Sequence, residues 1–422
     1  MNDPVRPSLR APAFALVAAL GLVLVACDPL LVSTLAYFDE STVASLRLGH
    51  DDGYAGFQLL ERNLDGKSVL FTGEIHGNAE SVALAAKTAR YLQHSGRRTT
   101  LLWEVGFATG VQLDRYLRGG DESILEQILA GTRGTFFFTH EWRDFYRDLR
   151  RFNMDVPPDE QIRLVGIDIE HQYRWGMALM QELLPHTAPQ AAPEPIRDVV
   201  AGLVSWSDST AEHADELSAA ISDSLEEHAG EWDALLDDES LPLRADHFRT
   251  AAFAVRSRFD CYALDRGAFA AAREAAIAEI FRRADAIHRS TVVPGNAIYY
   301  GHWGRDHVPL RRVRGVDWVA GLINEMPEYQ GGVLSVAAFY HASMSLERNP
   351  YRARPVSDSP LAVGLMARHA RSPATLFDLA APDSPFRMSL ELVPEPNDGG
   401  VTTDYFQMAI LFSRATTSRP LE

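Results

Sequence analysis

The sequence is poor in cysteine and lysine: of its 422 residues only Cys27 and Cys261, and only Lys67 and Lys87, are of these types. Two cysteines exclude a disulfide framework, and a chain this long can bury a core large enough to need none. Positive charge comes almost entirely from arginine and is outweighed, leaving a net charge of −17. A nucleic-acid partner is therefore not expected, because phosphate backbones require clustered Lys and Arg. Low-complexity tracts and internal repeats are absent. The remainder, 46% hydrophobic and 23% charged, is the composition of a folded protein.

One long apolar run is present, "APAFALVAALGLVLVA" at residues 11–26. It is short for a membrane span of ~20 residues. Arg6 and Arg10 precede it, and it ends in Leu24-Val25-Ala26-Cys27. This pattern resembles a bacterial lipoprotein signal, with residues 1–26 removed and lipid attached at Cys27. The alternative is an ordinary signal peptide or signal anchor with a chance cysteine. Acyl chains on Cys27 would hold the protein to a membrane surface without a spanning helix. The expected location is the cell envelope, on the periplasmic or outer face of a bacterial membrane. Asp28 follows, a residue that in some bacteria favours inner-membrane retention. Cys261 then lacks an intramolecular partner and reads as a buried small hydrophobe in a helix.

Residues 27–66 read as a tether with a helical lead-in, and 67–422 as one α/β domain. "SVLFTGE" (68–74) is a β-rich run closed by glycine. Residues 79–94 carry an apolar helical stripe that stops at Gly96. "TTLLWEVG" (99–106) is a second buried strand, so a βαβ unit with a right-handed crossover opens the domain. Residues 111–155 are mostly helical, and "QIRLVGIDIEH" (161–171) is a third strand. A helical insertion fills about 172–290. "NAIYYGHW" (296–303), "GVLSVAAFYHAS" (332–343), "FRMSLEL" (386–392) and "YFQMAILFS" (405–413) supply further strands. The expected fold is α/β: a central, mostly parallel sheet with flanking helices and a large helical insertion.

Five of these strands end in acids or histidines. The first ends in Glu74 and His76, the second reaches Glu104, and the third ends in Asp168, Glu170 and His171. The fourth reaches His302, with Arg305, Asp306 and His307 beyond it, and the fifth meets His341. In parallel sheets active sites lie outside the carboxyl ends of the strands, so these residues are expected to converge. Singly, each has a plainer role: Asp168 as a helix cap, His171 or His341 as a bonded core histidine. Glu104, inside an apolar run, needs a partner such as Arg, His or a metal, because an unpaired buried carboxylate costs several kcal/mol.

Several motifs occur in the order of the erythromycin esterase family, which the chain resembles from about residue 67 to its end. They are "GEIHG" (73–77), "LLWEVGF" (101–107), "RRFN" (150–153), "RLVGIDIE" (163–170), "AREAAIAEIF" (272–281), "IYYGHWGRDHV" (298–308) and "DYFQMAILFSRATTSRP" (404–420). The resemblance implies a hydrolase of an ester or lactone that needs no metal or other cofactor. His76 would act as general base on water, with Glu74 orienting it. Glu104 would position the water or hold a second histidine. His302 would polarise the carbonyl or protonate the leaving alkoxide. Asp168, Glu170, Arg305 and His307 are the candidates for contacting substrate.

Two features depart from the family pattern. Only Ile75 separates Glu74 from His76, where two residues are usual, and His302 and His307 stand five apart rather than three. The tighter first spacing resembles related haem-uptake lipoproteins of the ChaN type and metal-dependent proteases of the TIKI type. Two alternatives follow: a haem- or iron-binding lipoprotein using Tyr299, Tyr300 or His302, and a metal-dependent peptidase with a metal at His76, Glu104 and His302. The aromatic cluster in "GTRGTFFFTHEW" (131–142) would either line a binding cleft or pack as core beneath a helix.

Overall fold

The structure, a computed structural model, describes residues 36–49, 53–207, 210–237, 244–291, 296–348, 350–358 and 360–422. The apolar segment and Cys27 lie outside the described residues.

Eight strands form one sheet in the order β1-β9-β10-β6-β2-β5-β3-β4. These are β1 (Val43–Leu46), β2 (Val69–Glu74), β3 (Arg98–Gly106), β4 (Arg163–Asp168), β5 (Ala297–Gly304), β6 (Val333–His341), β9 (Ala374–Asp378) and β10 (Met408–Ser413). From β10 to β4 all neighbours run parallel, while β9 is antiparallel to both β10 and β1. β7 (Ser343–Glu347) and β8 (Arg352–Val356) make a separate antiparallel hairpin. Both faces of the parallel strands are covered, which is why their sequences are continuously apolar rather than alternating.

Helices α1 (Phe57–Asn63), α2 (Ala79–His94), α3 (Phe107–Leu117), α4 (Glu122–Gly131) and α5 (His140–Met154) precede or flank β2–β4. α2, α4 and α5 cover one face with Leu70, Trp103, Tyr300 and Leu164. The interval between β4 and β5 holds α6 (Tyr173–Leu183), α7 (Arg197–Ser205), α8 (Ala211–Glu227), α9 (Ala229–Leu236), α10 (Arg244–Tyr262) and α11 (Arg266–Thr291). This insertion packs on the opposite face with Phe71, Trp303, Phe248 and Phe281. α12 (Val319–Glu325) and α13 (Pro360–His369) follow. Cys261, on α10, is buried and free.

Three expectations need correction. The lead-in contains the edge strand β1, too short to show a pattern. "FRMSLEL" is not a strand: Pro385–Arg387 form a single 3₁₀ turn, and Met388 is 77% exposed. The strand in that region is "ATLFD" (374–378), five residues buried on both faces and too short to distinguish from a helix segment by periodicity. The run ending at Ser343 also breaks, at Ala342, whose φ of 48° bends the chain out of the sheet into the hairpin.

Candidate active site

The carboxyl ends of β2, β5, β3 and β4 lie side by side, so their terminal residues meet. Thr72 pairs in register with His302 and Glu74 with Gly304. Side chains two residues apart on a strand share a face, so Thr72, Glu74, Tyr300 and His302 all point beneath α2.

Glu74 is buried, and its Oε1 accepts a hydrogen bond from His76 Nδ1 at 2.7 Å. Its Oε2 accepts from the Ser81 hydroxyl in the first turn of α2, where free backbone N–H groups favour negative charge. Asn78 caps that turn by accepting from Ser81 N–H at 3.1 Å. Burial pushes the Glu74 pKa up, but His302, 3.4 Å from its Oε2, and the hydrogen bond from His76 outweigh it and hold the carboxyl far below the usual range.

His76 is thereby fixed in one ring orientation. Its Nε2 faces Glu104 Oε2 at 3.8 Å, and a quarter of the side chain is exposed. Phe136 stacks on the ring with centroids 5.6 Å apart, and Phe137 approaches at 5.5 Å. Burial lowers the His76 pKa, but Glu104 and Glu74 raise it more, to about 9. Gly77 follows with φ 84°, and a Cβ there would lie 2.8–2.9 Å from the backbone of Leu346, so only glycine lets the hairpin close on this loop.

Glu104 occupies an irregularity in the β3–β4 pairing between Trp103 and Gly106. The bulge re-aims its side chain toward the strand ends. It accepts from Arg273 at 3.0 Å and from Gly304 N–H at 3.1 Å, and lies 3.5 Å from His307 Nε2. Burial raises its pKa, while His76, His307 and Arg273 together bring it below the ordinary value. Arg273 is thus the partner that a buried Glu104 demanded. Its guanidinium also holds Asp168 through two hydrogen bonds, at 2.9 and 2.5 Å.

His307 is buried, with Nδ1 2.8 Å from Glu274 Oε1 in an ion pair that lacks hydrogen-bond alignment. Burial lowers its pKa, and Glu274 and Glu104 raise it by more. Glu274 in turn accepts from Val319 N–H at 2.8 Å.

A cavity of about 300 Å³ opens over these groups, lined by Glu74, Ile75, His76, Phe136, Gly304, Arg305, Asp306, His307, Arg314 and Arg354. Of the residues expected from sequence, Glu74, His76, Arg305 and His307 line it, and Glu104 lies 3.8 Å from His76 and 3.5 Å from His307.

The others sit elsewhere. His302 does not reach the cavity: it lies two residues short of the strand end and is fully buried. Its Nε2 meets Ser81 Oγ at 3.0 Å and its Nδ1 meets Thr72 Oγ1 at 2.8 Å. Tyr300 OH bonds Thr72 Oγ1 at 3.0 Å. One proton assignment satisfies the chain: Tyr300 donates to Thr72, Thr72 to His302, His302 to Ser81, and Ser81 to Glu74. His302 therefore holds Glu74 from behind rather than facing a carbonyl.

Asp168 is buried and spent on Arg273, with His171 Nε2 at 3.1 Å. Glu170 is also removed from the cavity. It accepts from Ala108 N–H at 2.9 Å, Thr109 N–H at 3.2 Å and Thr109 Oγ1 at 2.7 Å, tying down the N-terminus of α3. Burial outweighs these bonds and pushes its pKa up to about 7. His341 is exposed at the end of β6, and its neighbour Tyr340 serves the site instead, its hydroxyl accepting from Ile75 N–H at 3.0 Å.

The metal set of His76, Glu104 and His302 does not meet at one point, since Glu74 and Ser81 stand between the two histidines. Among the described residues no group of three or more His, Cys, Asp or Glu is arranged to hold a metal ion. Tyr299 and Tyr300 point to opposite faces, with hydroxyls bonded to Asp285 and Thr72, and neither lines the cavity.

Sequence reasoning missed Arg273, Ser81, Thr72, Glu274 and Tyr340. Arg273 and Glu274 lie inside "AREAAIAEIF", a motif noticed for its order but not for its charges. Nothing in the sequence marks Ser81 or Thr72.

The erythromycin esterase family model matches residues 98–311. The search of curated proteins gives no match. Among solved structures, a Bacillus cereus protein superposes with a TM-score of 0.68 at 16% identity, over 93% of this chain and 99% of its own. A succinoglycan biosynthesis protein gives 0.71 at 10% identity, over 92% and 98%. A histidine-to-asparagine variant of an erythromycin esterase, in its open conformation, gives 0.62 at 14% identity, over 90% and 100%. At such identities the three share the fold with this chain. The family match spans just over half of the sequence and includes Glu104, Arg273 and His307, and the chain belongs to the erythromycin esterase family.

Proposed function

We propose that this protein hydrolyses a small ester or lactone, with His76 as general base. The observation that supports this reading is the 2.7 Å bond from His76 Nδ1 to Glu74, which turns Nε2 toward the cavity beside Glu104. A water between His76 Nε2 and the substrate gives a proton to Nε2 as its oxygen attacks the ester carbonyl. The tetrahedral intermediate collapses, the C–O bond to the alcohol breaks, and the departing alkoxide takes the proton back from His76. Glu74 fixes the tautomer and stabilises the imidazolium. His307, whose protonated form Glu274 and Glu104 favour against the effect of burial, takes over the role of carbonyl polariser from His302. No step is routed through a metal or another cofactor, so turnover should persist in chelator.

The test is an ester and lactone panel with wild type and His76→Ala. The variant should keep the melting temperature and lose at least about 100-fold in kcat. Wild type inactive across the panel, or the variant active, would overturn the reading. We also propose that the protein works in the cell envelope, anchored by lipid on Cys27. Cys27→Ala should move it from the membrane to the soluble fraction.

A further inference from the structure

The mouth of the cavity is rich in arginine, although the chain carries a net charge of −17. Arg305, Arg314 and Arg354 line it. Arg348 lies at the rim, its guanidinium 5.4 Å from the centroid of the Phe136 ring. Two of the lining arginines are committed. Arg305 pairs with Asp358 at 2.8 Å and donates to the Ala338 carbonyl at 3.0 Å. Arg314 pairs with Asp306 at 3.1 Å and lies 4.0 Å from Glu395. The Arg354 guanidinium, exposed on β8, makes no hydrogen bond and no ion pair among the described residues. Its charge is felt by Glu347, but that carboxylate is bonded to Arg352.

The fold holds Arg354 in register with the site. Arg354 stands directly opposite Ser345 in the β7–β8 hairpin. Ser345 Oγ donates to the His76 carbonyl at 2.7 Å, and Leu346 N–H donates to the Gly77 carbonyl at 2.8 Å. Directly paired residues project to the same side of a hairpin. The strand that carries Arg354 is therefore fastened, one cross-strand pair away, to the backbone of His76 itself. Arg314 is presented from a tight turn, Val313–Val316, at a φ of 54°, a conformation that arginine seldom adopts.

We propose that the cavity takes esters bearing a carboxylate, and that Arg354 is the specificity residue that pairs with it. Of the arginines that line the cavity, Arg354 has the one guanidinium without a carboxylate partner among the described residues, and its planar fork matches a carboxylate through two parallel hydrogen bonds. A volume of about 300 Å³ fits a compact acyl group. A cationic ester meets repulsion from Arg354 and Arg348. The ester part of this inference rests on the hydrolase reading; the anion site does not.

Calorimetry with the full chain and two unreactive amides, glutaric acid monoanilide and neutral pentananilide, tests the site without turnover. The acidic anilide should bind at least about tenfold more tightly, as one charge-assisted contact provides. Arg354→Gln should erase that preference. Arg352→Gln, on the same hairpin but bonded to Glu347, should keep it. Equal affinity for the two anilides, or a preference that survives Arg354→Gln, overturns the proposal. The matching 4-nitrophenyl glutarate and pentanoate esters are run in parallel. Preference for the acidic anilide without cleavage of either ester would sink the hydrolase reading and leave the anion site standing.

Discussion

Glu104 Oε2 lies 3.8 Å from His76 Nε2, on the opposite side of the ring from Glu74. The imidazole is thus held between two carboxylates, and they raise its pKa to about 9 against the effect of burial. A base must be neutral to accept a proton. On the proposed mechanism kcat/KM should therefore rise with pH, with its acidic limb near 9. Glu104→Gln removes one of the two charges and should move that limb down toward the ordinary histidine value. A rate that falls as pH rises through 9 would make the imidazolium the working form and remove His76 from the role of base. Linkage runs the other way. A histidine raised in the folded state stabilises it fully below about 6.5 and loses that contribution as pH climbs through about 9. The site should be most active where His76 contributes least to stability.

Arg273 joins Asp168 to Glu104, and both carboxylates are almost fully buried. Removing its charge takes the shared cation away from two acids, one of them wholly buried. Arg273→Met is expected to cost about 3–5 kcal/mol of stability, measured by denaturant unfolding. Arg273→Lys keeps the charge but cannot bridge two carboxylates with one planar fork, so it should fold better and still lose kcat. Arg273 also lowers the His76 pKa, so in any variant that removes the charge and folds, the acidic limb should move upward. In such a charge-removing variant, loss of activity with an unmoved limb would mark Arg273 as structural scaffolding alone.

The parallel strands and their polar ends were legible because each strand buries both faces and shows as an unbroken apolar run. "SVLFTGEIHG" shows both the strand and the acid–histidine pair that closes it. What could not be read was depth. Glu74 and His302 look alike as polar residues near strand ends, yet the register pairs His302 with Thr72, one layer lower. Only the register separates a cavity residue from the residue supporting it. The β7–β8 hairpin was hidden for a related reason: its first strand follows β6 after the single residue Ala342, so the two merge in sequence. Arg273 arrives from a helix about a hundred residues beyond Asp168, a distance over which no local pattern speaks.

Glu170 illustrates the same ambiguity and gives a contrary prediction. It was a candidate for contacting substrate, but its carboxyl secures the first turn of α3. Glu170→Ala should cost about 1–3 kcal/mol by leaving buried donors unsatisfied, with KM unchanged in the folded fraction. Its pKa is raised from 4.5 to about 7 because burial disfavours the charge. A raised carboxyl stabilises the folded state below about 4.5, and that contribution is lost as pH rises through about 7. Glu170→Gln cannot titrate, so its stability should gain on wild type across that window in paired unfolding curves. A constant difference from pH 4.5 to 8 would refute the assignment.

The aromatic cluster divides between the two roles open to it. Phe136 lines the cavity and stacks on His76 at an interplanar angle of 21°. Phe137 packs on Trp142, with centroids 5.6 Å apart, at the margin of the core that holds Trp103 and Phe145. Phe138 is buried beneath Arg133. Phe136→Ala removes a wall of the cavity but leaves the core intact, so KM should rise about tenfold with little change in melting temperature. Phe137→Ala opens a void beside Trp142 and should cost about 2–4 kcal/mol, somewhat less than a fully buried phenylalanine. Because Phe137 also approaches His76 at 5.5 Å, some loss of kcat is expected there too. The separation lies in which variant loses affinity without losing stability. If Phe137→Ala did so and Phe136→Ala did not, the cavity described here would be lined on the wrong side of the cluster.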